Sequence, residues 1–148
     1  MTNIVVAIDF SDITPRLVDE AARLAKCYDA RIYAIHVAAP DPDFVGYNVG
    51  PTQERQFRAS TLHKEKSQLE QISEELRSSG IDTVPLLVQG ETARLLLKEA
   101  GRLHANTLIM GTHGKGLAMT ALLGSTSHEI MRHITCPVLL VPYRDERL

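Results

Sequence analysis

The fold class predicted by this sequence is a three-layer α/β/α sandwich, doubly wound on a five-stranded parallel sheet, and three observations predict it. Short apolar runs alternate with stretches of helical periodicity. The first run, Ile4-Val5-Val6-Ala7-Ile8, is continuous and rich in β-branched residues, the form of a strand buried on both faces. Strand, helix and strand then follow within about forty residues, as a right-handed βαβ crossover requires. At 148 residues, 44% of them hydrophobic, the chain suffices for one domain around one core, with no internal repeat and no linker.

The elements follow in order. The first strand ends at Asp9. A helix runs from Thr14 to Tyr28, with Thr14 as its cap, Pro15 at its first position, and Leu17, Val18, Ala21, Ala22, Leu24 and Ala25 on one face. Arg31 to Val37 is the second strand. Ala38 to Thr52 holds three prolines, two glycines and two aspartates and reads as a long loop, able to act as a lid. Gln53 to Ser79 contains no proline or glycine; Leu62, Leu69, Ile72 and Leu76 mark the inner face of a charged surface helix stopped by Gly80. Its Glu65, Glu70, Glu74 and Glu75 read as a solvated face. Val84 to Val88 is a third strand, placed at a sheet edge because Pro85 cannot donate a ladder hydrogen bond. A helix over Glu91 to Leu103, packing through Leu95, Leu96 and Leu97, precedes a fourth strand at Thr107 to Met110. A helix from Ser125 to His133 precedes a fifth strand at Val138 to Val141. The classical order for this connectivity is 3-2-1-4-5, which puts the fifth strand at the other edge.

Composition excludes several functions. A net charge of −2 pulls the protein neither onto nucleic acid nor onto an anionic membrane. No apolar run approaches the ~20 residues of a bilayer span, and Met1-Thr2-Asn3 leads into a strand without a basic signal region. Cys27 and Cys136 make no disulfide framework or zinc spacing and read as small buried hydrophobes, so a reducing cytoplasm is the expected compartment. His128-Glu129 resembles the start of HExxH, but His133 lies five residues on, roughly 140° around a helix, so no metal site is expected. His36, ending a buried strand, reads as a hydrogen-bonded core histidine.

Ligands of open parallel sheets bind beyond the carboxyl ends of the strands. There the sequence places Asp9, the turn after Val37, and Gly111-Thr112-His113-Gly114-Lys115-Gly116, followed by Gly124-Ser125-Thr126-Ser127 opening a helix. Glycines let backbone amides approach an anion, hydroxyls add donors, and a helix amino end is partially positive, so the segment suits phosphate oxygens. From Gly101 to Tyr143 the bases Arg102, Lys115 and Arg132 face a single acid, Glu129. The pattern is neither GxxxxGK[ST] nor GxGxxG. A tight turn with a helix cap is the alternative, as is a turn-capping role for Asp9. His113 and Lys115 serve either a phosphate or the solvent.

The spacing Gly111-x2-Gly114-x9-Gly124-Ser125 resembles the nucleotide-binding motif of the universal stress protein family. Ile4 to Ser11, Ile35-His36-Val37 and Cys136 to Pro142 resemble that family's opening, second and closing strands, so the resemblance covers the whole chain. It implies binding of ATP, or of ADP or AMP, with or without Mg²⁺. Asp9 and the backbone near Val37 would hold the adenosine end, and Gly111, Gly114, Gly124, Ser125 and Ser127 the ribose and phosphates. Ala7, Met110, His113 and Thr126 complete the expected set. Asn106 and Thr126 depart from the usual residues, with local consequences. The resemblance also implies a homodimer through the fifth strand, whose apolar edge needs covering; the tail Tyr143 to Leu148 is the competing cover. No nucleophile, base and orienter come together, so at most slow ATP hydrolysis is expected. The expected role is a nucleotide-dependent stress response through a change of conformation or partner, the client unnamed. A weak hydrolase using Asp9 and Mg²⁺, or a nucleotide-independent interaction module, are the alternatives.

Overall fold

Strands and helices alternate along the chain: β1 (Thr2–Ala7), α1 (Thr14–Tyr28), β2 (Ala30–Ala38), α2 (Thr52–Ser78), β3 (Thr83–Gln89), α3 (Thr92–Arg102), β4 (Thr107–Gly111), α4 (Ser125–His133) and β5 (Val138–Val141). The computed structural model describes residues 1–40, 52–112 and 123–143. The body of the loop read between Ala38 and Thr52 therefore lies outside the described residues, as do His113, Gly114, Lys115, Gly116 and the tail beyond Tyr143.

The sheet has the order β3-β2-β1-β4-β5, with all four neighbouring pairs parallel. Side chains of successive strand residues point to opposite faces, and both faces are covered. Ile4, Val6 and Ile8 pack with Leu17, Ala21 and Ala25 of α1 and Leu69 and Leu76 of α2. Val5, Ile35, Leu108 and Met110 pack with Ala93 and Leu96 of α3 and Ile130 of α4. This two-sided burial is why the strands are continuous apolar runs. Pro85 pairs with Ala34 on β2 and sits on an edge strand, where its missing N–H faces no ladder.

Helix ends follow local chemistry, with one departure. Gly80, at φ 81°, stops α2 in the left-handed conformation, and the Ile81 N–H returns to Leu76 O at 3.1 Å. The cap expected at Thr14 is not there. The N-cap is Ile13, already in the αR region and without a side-chain bond, because the turn begins at Ser11, whose carbonyl accepts from Thr14 N at 3.0 Å. A capping side chain reaches the first amides from extended backbone. Thr14 is therefore a helical residue, and its buried Oγ1 has no hydrogen-bond partner.

Cys27 also departs from expectation: it is exposed, two residues past the buried Ala25 and turned away from the sheet. Cys136 is half-buried against the α3/α4 side of the core, and burial pushes its thiol above the usual range. Among the described residues, no helix is long and apolar enough to cross a membrane.

At the start of α3 the Glu91 carboxylate accepts from Ala93 N at 2.9 Å and Arg94 N at 2.8 Å, satisfying two orphan amides. Glu91→Ala is expected to cost about 1 kcal/mol, as lost caps do. Calorimetry should then show a melting temperature about 2–4 °C lower, and an unchanged one would mean that the cap contributes nothing.

Candidate functional site

From β1 the chain winds to β2 and β3 on one side and resumes at β4 and β5 on the other. The two windings therefore part at the carboxyl ends of β1 and β4, which is the topological switch point. A cleft of about 350 Å³ lies there. Its apolar wall comes from Ile8, Ile13, Leu17, Ile35, Val37, Leu96 and Met110, and its polar groups from Asp9, Thr92, Ser125, Thr126 and Ser127, with Ala7 and Gly111 between them. An apolar trough with a few convergent polar groups is the usual form of a small-molecule site.

Asp9 stands where β1 leaves the sheet. Its Oδ1 accepts from Ser11 N at 3.0 Å and Ser11 Oγ at 2.6 Å, so the turn-capping role read from the sequence is present. The same carboxylate lines the cleft. Phe10, the next residue, has φ 57°, a conformation an aromatic residue rarely adopts, and its ring lies against His36 with centroids 4.5 Å apart. His36 is the hydrogen-bonded core histidine expected: it is 7% exposed, and its Nδ1–H donates to Ile8 O at 2.7 Å. Its Nε2 lies 3.4 Å from Glu65 Oε1, within ion-pair range but without a hydrogen bond. Glu65 is therefore not simply part of a solvated face. Glu70 and Glu74 are, and both pair with Arg77.

The amino end of α4 forms the opposite wall. Gly124, its N-cap, is buried and extended, with no side chain to cap the first turn, and its N–H donates to Thr112 O at 2.9 Å. No acidic residue stands in that first turn. Helix dipole and unspent amides thus point partial positive charge at the cleft. Ser127 is buried, and its Oγ donates to Gly111 O at 3.1 Å, fastening α4 to the end of β4. Further along, His133 pairs with Glu129 at 3.2 Å on the outer surface.

The structure gathers Ala7, Asp9, Val37, Met110, Gly111, Ser125, Thr126 and Ser127 around one cleft; Gly124, the N-cap of α4, is not among the lining residues. His113 and Gly114 fall outside the described residues. Sequence reading missed Thr92 and the apolar Ile8, Ile13, Leu17, Ile35 and Leu96. Thr92 had a signal, since a helix that follows a parallel strand begins at the ligand end of the sheet. Gly90, at φ 147°, turns the chain there. The apolar residues look like any other core positions.

The sequence pattern of the universal stress protein family matches residues 1–142. The chain belongs to the universal stress protein family. It is similar to a universal stress protein of Methanocaldococcus jannaschii, 31% identical over 140 residues that cover 93% of this chain and 80% of the relative. Two solved universal stress proteins share the fold. One, in complex with cAMP, has a TM-score of 0.67 at 23% identity and covers 95% of this chain and 96% of its own. The other, from Archaeoglobus fulgidus in complex with dAMP, has a TM-score of 0.69 at 18% identity, covering 95% and 97%.

In this universal stress protein the Ser127 hydroxyl is a fastener as well as a lining group. Ser127→Ala should lower the unfolding free energy by about 1 kcal/mol, the usual net value of one hydrogen bond. Urea denaturation measures it, and a midpoint equal to that of the parent would show that the bond to Gly111 contributes nothing to stability.

Proposed function

We propose that the cleft binds an adenine nucleotide (ATP, ADP or AMP), with its phosphates on the amino end of α4 and its base in the apolar trough. The observation that carries this reading is the uncapped first turn of α4, whose Gly124 has no side chain and whose neighbours include no acid. The nucleotides held by the two related structures support the same class of ligand. Mg²⁺ fits beside them: among the described lining residues Asp9 is the one carboxylate, and magnesium is usually held by one or two carboxylates plus the phosphates, whose charge it would neutralise. Since Oδ1 of Asp9 already accepts two bonds from Ser11, the arrangement favours binding over activation of water. The biological role that follows is a cytoplasmic stress response in which the bound nucleotide alters conformation or partner choice.

Mass spectrometry of nucleotide released from the purified protein, followed by calorimetric titration, tests the reading. The parent should bind in the micromolar range. Thr126→Asp, which favours the helix by about 0.3–1 kcal/mol while placing negative charge at its amino end, should weaken binding about tenfold or more at an unchanged or higher melting temperature. Superimposable titration curves for the two proteins would remove α4 from the ligand site.

We also propose a homodimer through β5. This strand is at the sheet edge, with Val138, Leu139 and Leu140 only half-buried, and an apolar edge invites pairing with a second copy about a twofold axis. Light scattering should give twice the chain mass; a value near 16.4 kDa would rule the dimer out.

A further inference from the structure

We propose that His36 is a positioning residue for the cleft: by gripping the residue on each side of Asp9, it holds the Asp9 carboxylate in place for a ligand. The last paired residues of β1 and β2 are Ala7 and Ile35, so Ile8 stands just beyond the ladder register. Both its backbone groups are nevertheless held by β2. The Ile8 N–H donates to Ile35 O at 2.8 Å, and the Ile8 carbonyl accepts from the side chain of His36 at 2.7 Å. A carbonyl can only accept, so Nδ1 carries the proton. On the far side of Asp9, the Phe10 ring rests against the same imidazole at 4.5 Å, tilted by 45°.

This second contact matters because Phe10 has φ 57°. A bulky residue in the left-handed region persists only where its surroundings over-determine it, and such strain gathers at functional sites. An imidazole can make both contacts at once, since it offers a donor in its plane and a flat face, both buried here. Its Nε2, buried and without a hydrogen-bond partner, stands 3.4 Å from Glu65 Oε1, so α2 closes over the ring that holds the loop. Nothing in this arrangement requires the histidine to touch the ligand, and it does not line the cleft.

The test has one arm without ligand and one with it. In the ligand-free protein the Ser11 amide, bonded to Asp9 Oδ1 at 3.0 Å, reports the loop. His36→Asn keeps a donor and loses the ring face. It should shift the Ser11 NMR resonance and speed its hydrogen exchange about tenfold, while the amides in the middle of β2 stay protected. A Ser11 amide that does not move overturns the proposal, whatever the cleft binds.

The second arm rests on the nucleotide reading above. His36→Asn should weaken AMP and ATP binding about tenfold in the parent and have little effect in an Asp9→Ala background, the non-additivity expected of coupled neighbours. Equal losses in both backgrounds overturn the proposal, leaving a histidine that only fills the core. If the parent binds neither nucleotide while the Ser11 amide still responds, the nucleotide reading fails and the positioning of Asp9 stands. Should His36→Asn not fold, Phe10→Leu removes the ring contact from the loop side and carries the same two arms.

Discussion

β1 pairs in parallel with β2 on one side and β4 on the other while its side chains are buried on both faces, and the placing of the cleft follows from that double commitment. Ile4, Val5 and Val6 have almost no exposure, so the strand has no freedom to shift register or turn over. Because its neighbours belong to two windings that run in opposite directions across the sheet, those windings part at the carboxyl end of β1. An opening there is a property of the topology. Asp9, Phe10 and Ser11 occupy it as the first residues released from the ladder.

What the opening can hold is decided by electrostatics at its far wall. A helix amino end normally finds a side chain for its orphan amides, as α3 does with Glu91. α4 begins instead at a glycine. Its hydroxyls differ in what they do: Ser127 ties the helix to Gly111, while Ser125 is exposed at the mouth and Thr126 half-exposed. Rigid attachment behind and unspent amides in front suit an anion, which gains most from donors that need not reorganise.

The membership of the chain in the universal stress protein family, shared with relatives over nearly its whole length, fixes the scaffold, and the residues at the crevice argue the ligand. The same scaffold explains why a buried histidine belongs at the end of β2. A strand that ends early at a loop leaves a carbonyl beyond the ladder, and a side chain from its neighbour supplies the donor.

By itself the sequence determined the alternation of strands and helices, the parallel sheet and its edges, because two-sided burial writes continuous apolar runs and Pro85 is tolerated only where no partner strand needs its amide. It also picked out the glycine-and-hydroxyl segment at Gly124 to Ser127 and the acid at Asp9, since the alternation of elements puts a helix start and a strand end at the carboxyl edge of a parallel sheet, where ligands bind. Tertiary structure alone decided the rest. Whether Thr14 caps or continues a helix depends on the dihedrals of Ile13, whether Cys27 faces the core depends on how α1 is rotated against the sheet, and whether Glu65 is solvated depends on which turn of α2 covers His36. Likewise Ile35 and Leu96 read as core until the parting of the two windings leaves them facing a cavity. Pattern along a chain records which face of an element is apolar; what stands opposite that face is set by packing between elements far apart in sequence.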